Sequence, residues 1–233
     1  MKAVILAGGL GIRLRPFTQI IPKPILPIGE SSVLEIQINS LIKYGISEIF
    51  IATNYKSNIV KAYLEDGEKF NIPINFSLEK KPLGTCGPLS LLKNKLTDPF
   101  FLLNGDILTN IDYRRAYDSS LKLDSDLMVI TKNVTTPFNF GNVITDGDYI
   151  VNIQEKPDIE YQILSGIYVM KPSILNFIPE NEYFGIDDLI NKLLSEDKKV
   201  GRYLMNEYWL DIGSLNDYEE AQKIYNQYFS NDG

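Results

Sequence analysis

Lys2 to Pro16 read KAVILAGGLGIRLRP, and the order of events in that stretch decides the fold. A short apolar run, Lys2 to Ala7, stops at Gly8-Gly9. It reads as a buried parallel strand, because a strand covered on both faces is apolar throughout. Gly8, Gly9 and Gly11 then let backbone N–H groups approach an anion closely. Arg13 and Arg15 add guanidinium charge suited to polyphosphate. The loop is not a Walker A loop, since no Gly-Lys-Ser/Thr follows, and it lacks the third glycine of the dinucleotide fingerprint. Taken alone, the stretch has a plain alternative: a glycine-rich turn with solvated arginines.

Downstream, Pro22-Lys23-Pro24 holds Lys23 on a stiff extended segment, near enough to the glycine loop to bridge phosphates as a point charge. Ser31 or Ser32 can cap a helix with Glu35 completing a capping box, and Val33, Ile36, Ile38, Leu41 and Ile42 form its apolar side. Gly45 ends that helix. Strands follow at 48–52, 74–78, 100–103 and 127–131, with helices at 57–64, near 87–94 and at 113–123. Short strands alternating with helices predict an α/β fold: a mostly parallel open sheet with helices on both faces. After Pro137 the texture changes. Asp146-Gly147 lies between two strand-like runs, 140–145 and 149–154, which predicts a hairpin and a small β-rich lobe. A strand at 163–170 and helices at 187–194 and 216–229 complete the pattern. No linker or repeat interrupts it, so residues 1–233 read as one domain, with a core at 1–131 and a second part with closing helices at 132–233.

Composition narrows the chemistry. The chain of 233 residues carries a formal net charge of −7, no histidine and a single cysteine, Cys86. An acidic chain is a poor match for a nucleic-acid backbone. The apolar runs are too short to cross a membrane, and no signal peptide precedes the first strand. One cysteine cannot form an internal disulfide and fits a cytoplasmic location. Without histidine there is no Ser-His-Asp triad, no Cys-His dyad and no ordinary zinc site. The remaining tools are carboxylates, Lys, Arg, hydroxyls and backbone, which suit phosphoryl transfer.

Asp106 closes Leu103-Asn104-Gly105-Asp106 at the carboxyl end of a strand, where open α/β sheets bind ligands. It could hold Mg²⁺, which takes one or two carboxylates plus substrate phosphates. An Asp in an ordinary strand-to-helix turn is the competing reading. Glu155-Lys156-Pro157 supplies a charged pair, and Leu210-Asp211-Ile212-Gly213 a second carboxylate; either alone reads equally as surface charge or a helix start.

As a set, these segments resemble the sugar-phosphate nucleotidyltransferase family, which includes glucose-1-phosphate thymidylyltransferases and mannose-1-phosphate guanylyltransferases. The segments are GGLGIRLRP (8–16), PKPILPIG (22–29), PLGTCGPL (82–89), LNGD (103–106), FGNV (140–143), QEKP (154–157), SGIYV (165–169) and WLDIG (209–213). The resemblance runs from Lys2 to about Tyr225 and implies a Rossmann-like nucleotidyltransferase fold with a sugar-binding lobe. It implies that an NTP and a sugar 1-phosphate give an NDP-sugar and pyrophosphate, for nucleotide-sugar and polysaccharide biosynthesis. Residues Leu6 to Gly9, Gly11, Arg13 and Lys23 would bind the nucleotide, and Gly84 and Thr85 would line the base pocket. Asp106 and Asp211 would coordinate Mg²⁺. Lys156 would grip the sugar phosphate, with Gly105, Gly141, Glu155, Ser165 and Gly166 around the sugar. Arg13, Lys23, Asp106, Lys156 and Asp211 would be the catalytic set.

Glu79 favours GTP as the donor. A carboxylate accepts from guanine N1–H and the 2-amino group but repels the carbonyl edge of uracil or thymine; the family's guanylyltransferases are similar around EKKPLGTCGPL (79–89). A solvated strand-end charge is the rival reading. Two departures from the family pattern stand out. Ile12 replaces the usual Thr or Ser, and Leu164 replaces the Asn of an Asn-Ala-Gly segment that touches the sugar. Leu cannot hydrogen-bond a sugar hydroxyl, which leaves room for a modified sugar such as a heptose, an amino sugar or a deoxy sugar. The same chemistry with CTP, UTP, dTTP or a non-sugar phosphate, and a non-catalytic regulatory subunit, are the alternatives. A homo-oligomer such as a dimer is left open. The chain stops after the catalytic domain, so acyl transfer by a C-terminal β-helix is not expected.

Overall fold

The computed structural model describes residues 1–65 and 67–230; the last three residues of the expected domain, 231–233, lie outside them. In chain order the first strands and helices are β1 Lys2–Leu6, β2 Pro27–Ile28, β3 Ser31–Ser32, α1 Val33–Lys43, β4 Glu48–Thr53, α2 Ser57–Leu64 and β5 Ile74–Leu78. Next come β6 Phe100–Asn104, β7 Ile107–Thr109, α3 Tyr113–Leu123, β8 Leu127–Pro137, β9 Asn142–Asp146 and β10 Tyr149–Gln154. The last are β11 Asp158–Met170, α4 Ile186–Ser195, β12 Val200–Met205, β13 Trp209–Asp211 and α5 Leu215–Tyr228.

The first strand lies inside the sheet. The main sheet has seven strands in the order β12-β8-β11-β6-β1-β4-β5. β1 pairs in parallel with β4 on one side and β6 on the other, Leu6 standing opposite Ala52 and Asn104. β5 adds in parallel to β4, and β12 to β8. β11 runs antiparallel to both β6 and β8. Strands on both sides of residue 131 therefore share one sheet.

Alternation along β1 divides the core. Ala3 and Ile5 enter a cluster with Leu34, Ile38, Phe101 and Tyr113 under α1 and α3. Val4 points to the other face, among Phe50, Leu89, Leu102 and Leu189. Each buried Leu, Ile or Phe contributes about 1.5–3 kcal/mol of burial free energy. A third cluster, Leu14, Leu26, Ile28, Val33, Leu210 and Ile212, ties the glycine loop to the β13 segment.

Local rules account for most boundaries. Ser32 caps α1 by accepting from Glu35 N–H while Glu35 Oε2 accepts from Ser32 N–H at 2.8 Å, the anticipated capping box. Asp112 caps α3, and Ser214 with Asp217 caps α5. The helix expected near 87–94 is instead a 3-10 stretch, Gly87–Leu92, with Pro88 at its start. Its backbone is engaged elsewhere: Phe184 C=O accepts from the Cys86 and Gly87 N–H groups at 2.9 and 3.1 Å.

β8 and β11 run past the sheet as a ribbon, Asp158 opposite Pro137, and carry the β9–β10 hairpin. Gly147, at φ +55, makes the turn the Asp-Gly signal announces. Almost every residue from 135 to 162 is exposed, Tyr149 to 80%. Among the described residues no helix is long and apolar enough to cross a membrane.

Candidate active site

The loop after β1 is built by backbone constraints. Ala7 N–H donates to Ala52 C=O at 2.7 Å, extending the β1–β4 ladder by one residue. Gly11 turns left-handed at φ +58, and its carbonyl accepts from Leu14 N–H at 3.0 Å and Thr18 Oγ1 at 2.7 Å. A β-carbon there would lie 2.7 Å from Thr18 Cγ2, so glycine is required by both conformation and space. Nothing crowds the corresponding position at Gly9. Buried Leu14 anchors the far end of the loop, and the guanidinium of Arg13 packs over Gly213.

Asp106 is set at the end of β6 by a tight approach of two chains. Gly105 N–H donates to Leu6 C=O at 2.9 Å, and a β-carbon at Gly105 would meet that oxygen at 2.3 Å. The chain then re-enters as β7, which pairs antiparallel with β13 in a register that places Asp211 opposite Ile107. Ile212 N–H donates to Asp106 C=O at 3.0 Å. Two carboxylates more than 100 residues apart in sequence are thereby held side by side.

Lys23 completes the cluster. It opens a short 3-10 turn, Lys23–Ile25, and pairs with Asp106 Oδ2, with Asp211 Oδ1 at 3.9 Å. Asp106 Oδ1 and Asp211 Oδ1 are buried without a hydrogen-bond partner. Burial, then the adjacent Asp106 charge, push the Asp211 carboxyl above its usual value, against the opposing pull of Lys23 and Arg13. Two neighbouring carboxylates, each with a buried oxygen that accepts no hydrogen bond, fit a hard divalent cation that takes its other ligands from phosphates and water. Among the described residues no group of three or more His, Cys, Asp or Glu side chains forms an all-protein metal cage. A cavity of about 490 Å³ opens here, lined by the loop from Gly9 to Leu14, Lys23, Asp106 and Gly213. That is an ordinary volume for a small-molecule site.

Glu79 follows β5 and is only 7% exposed. Its Oε2 accepts from Leu83 N–H at 3.1 Å, and Oε1 lies 3.2 Å from where a β-carbon of Gly8 would be. The carboxylate thus sits beneath the glycine loop, not in bulk solvent. Burial raises its pKa, partly offset by the Leu83 hydrogen bond. Gly84, at φ +78, packs against Tyr183 and Phe184, and half-buried Thr85 follows it.

The sugar-side residues divide. Ser165 is fully buried; its hydroxyl donates to Ile130 C=O at 2.9 Å and its carbonyl accepts from the Trp209 indole, so its side chain is engaged inside the fold. Gly166, at φ +76, packs against Asn104, beside the Asp106 turn. Gly141 and Glu155 face each other, a β-carbon at Gly141 lying 3.4 Å from Glu155 Oε2. Lys156 is exposed, and its φ of +45 is uncommon for a side-chain-bearing residue. Among the described residues no ion pair or hydrogen bond links Lys156 or Glu155 to the Asp106–Asp211 cluster. Leu164 is 46% exposed at the foot of the ribbon.

Three residues of this neighbourhood have no role in the motif reading, although Asn104 and Trp209 lie inside the LNGD and WLDIG segments. Asn104 buttresses Gly166. Trp209 donates its indole N–H to Ser165 C=O at 2.8 Å. Gln37, 3% exposed, donates to two carbonyls of the Asp106 turn. Its signal was present: positions 33, 37 and 41 form one helical row, and Gln37 is polar between Val33 and Leu41.

A family model described as nucleotidyl transferase matches residues 2–228. A rice (Oryza sativa subsp. japonica) protein described as a probable mannose-1-phosphate guanylyltransferase is 32% identical over 97% of this chain, which spans 64% of that relative's length. HddC from Yersinia pseudotuberculosis, in complex with GMP-PN, superposes with a TM-score of 0.75 at 27% identity, covering 96% of this chain and 99% of its own. A putative glucose-1-phosphate thymidylyltransferase from Bacillus anthracis shares the fold, with a TM-score of 0.79 at 24% identity over 96% of this chain and 94% of that one.

Proposed function

This chain belongs to the nucleotidyl transferase family, and from that premise we propose that it transfers GMP from GTP to a sugar 1-phosphate, releasing pyrophosphate. The observation that carries the reading is the convergence of Asp106, Asp211 and Lys23 at the mouth of the glycine loop, with Arg13 beside them. That arrangement meets the needs of an in-line displacement at the α-phosphorus. The acceptor, a phosphate monoester, is already anionic at neutral pH, so no general base is needed and a histidine-free chain suffices. The barrier is repulsion between anions.

Each residue has a part in lowering it. The backbone N–H groups from Gly8 to Gly11 and the Arg13 guanidinium hold the triphosphate. Lys23, freed from Asp106 when phosphate offers a better partner, neutralises charge at the reacting centre. Asp106 and Asp211 would hold Mg²⁺, which when bound offsets the charge of the transferring and leaving phosphates. Lys156 would receive the sugar phosphate, with Glu155 and Gly141 at the sugar hydroxyls. Residues 1–131 serve as the nucleotide half of one domain and 132–233 as the sugar half.

Donor choice rests on Glu79. With Oε2 committed to Leu83 N–H, the carboxylate keeps Oε1 toward the loop, beside Gly8. A fixed carboxylate there suits the paired N–H donors of guanine. The similarity to a rice protein described as a guanylyltransferase and to HddC in complex with GMP-PN favours the same base. Leu164, exposed where the ribbon meets the sheet, cannot hydrogen-bond a sugar hydroxyl and leaves room for a modified sugar such as a heptose, an amino sugar or a deoxy sugar. The cysteine usage fits a cytoplasmic enzyme.

A pyrophosphate-release assay of five NTPs against a panel of sugar 1-phosphates tests this. GTP should give the highest kcat/KM; turnover with another NTP and none with GTP would refute the Glu79 assignment.

A further inference from the structure

The turn that presents Asp106 is short, and much of what it hangs from lies on another element. Asn104 C=O accepts from Gln37 Nε2 at 2.8 Å, and Ile107 C=O accepts from the same nitrogen at 2.9 Å. Both ends of the four-residue turn Asn104-Gly105-Asp106-Ile107 are therefore clasped by one side-chain amide from α1. Both partners are carbonyls, which only accept, so the amide must present its nitrogen to them. That leaves Gln37 Oε1 buried with no partner. A buried acceptor with no donor is unfavourable; an apolar side chain would avoid it in a helix row otherwise made of Val33 and Leu41. The orphaned oxygen marks a place where packing alone would not have chosen glutamine.

We propose that Gln37 is a positioning residue for the reaction: by bridging Asn104 C=O and Ile107 C=O it fixes the direction in which Asp106 presents its carboxylate to the divalent cation. This rests on the reading of Asp106 as a metal ligand. The other main-chain ties at the turn, Gly105 N–H to Leu6 C=O and Ile212 N–H to Asp106 C=O, fix its middle. Strand pairing sets Asn104 opposite Leu6 and Ile107 opposite Asp211, and Gln37 ties these two ends to each other. Supporting groups behind metal ligands typically change metal affinity or activity by about 10–100-fold when removed.

The test compares Gln37→Met, similar in volume but unable to donate, with Ile38→Ala, which loosens the same helix from within the core cluster shared with Leu34 and Leu41. Two readouts are taken: Mn²⁺ affinity in the presence of GTP by electron paramagnetic resonance, and the Mg²⁺ concentration giving half-maximal turnover. Gln37→Met should weaken both by about 10-fold or more, with the KM for sugar 1-phosphate within about twofold of wild type. Ile38→Ala should lower the melting temperature without moving either metal readout. If Gln37→Met shifts metal dependence no more than Ile38→Ala, the proposal falls. Asp106→Asn is run beside them: wild-type Mn²⁺ affinity in that variant would defeat the metal-ligand reading itself, a separate outcome. Should Gln37→Met fail to fold, the wild-type protein decides by NMR. Adding Mg²⁺–GTP should shift the Gln37 side-chain amide resonance and spare that of Asn39, exposed on the same helix; an unmoved Gln37 resonance overturns the proposal.

Discussion

The two ends of this molecule are built on opposite plans. At the carboxyl ends of β1 and β6, backbone meets backbone: Ala7 N–H to Ala52 C=O, Gly105 N–H to Leu6 C=O, Ile212 N–H to Asp106 C=O. Lys23, Asp106 and Asp211 converge there on a main-chain frame, although Leu10 and Ile12 of the loop remain exposed. The ribbon and the β9–β10 hairpin show the reverse. Val143, Ile144, Ile150 and Ile153 are each 40% exposed or more, and the hairpin's partners are its own two strands. An isolated two-stranded hairpin is marginal in water, so this lobe has low local stability beside the sheet. On the proposed function, preorganisation is concentrated on the nucleotide side, and the acceptor side keeps freedom to adapt.

The largest expected effect that tests this contrast is at the rigid end. Asp106→Asn should reduce kcat by about 10²–10³-fold with the fold intact; steady-state kinetics and thermal unfolding together check it. Gly105→Ala should cost about 1–3 kcal/mol of stability as well as activity, because the added carbon meets Leu6 C=O; urea unfolding measures it. At the adaptable end, Lys156→Ala should raise the KM for sugar 1-phosphate by about 10-fold, as for a lost charge-assisted contact of about 1.5 kcal/mol, while the GTP KM and the melting temperature stay put. A large loss of stability in that variant would break the comparison.

Glu79 yields a pH-dependent test. Its carboxyl titrates higher in the folded chain than in the unfolded one, because burial outweighs the Leu83 hydrogen bond. The ionised form therefore costs stability: the penalty is absent below the ordinary carboxylate range and grows as pH rises through the raised value. Glu79→Gln should become more stable relative to wild type between acidic and neutral pH while losing preference for GTP. Urea unfolding across that range and the NTP screen read the two halves. Smallest of all, Ile150→Thr on the hairpin should change stability by no more than about 0.5 kcal/mol.

Much of the rigid end was legible in the chain. KAVILAGG carries both the apolar run of an interior strand and its stop, and the Ser32/Glu35 capping box marks the start of α1. Asp106 could be placed because a strand end in a parallel sheet is a ligand position whatever the strand order. Strand order itself was less accessible. Nothing local announces that β11 enters between β6 and β8, or that Val200–Met205 forms β12, whose pattern of half-buried residues lacks a clean alternation. Asp211 was visible as a carboxylate and, through family resemblance, as a partner of Asp106; its physical cause, the β7–β13 pairing, involves three residues per strand and leaves almost no periodic signal. Ser165 shows the limit from the other side. A serine beside a predicted sugar site reads as a ligand contact, but its hydroxyl serves Ile130.

Trp209 joins the two plans. It is the chain's only tryptophan, it stands two residues before Asp211, and its indole N–H is tied to Ser165, next to Leu164. The protein thus carries a natural fluorophore at the seam between its rigid and adaptable halves. Emission from that single indole, with no label attached, should report in real time whether an acceptor draws the ribbon toward the sheet, separately from the arrival of the nucleotide.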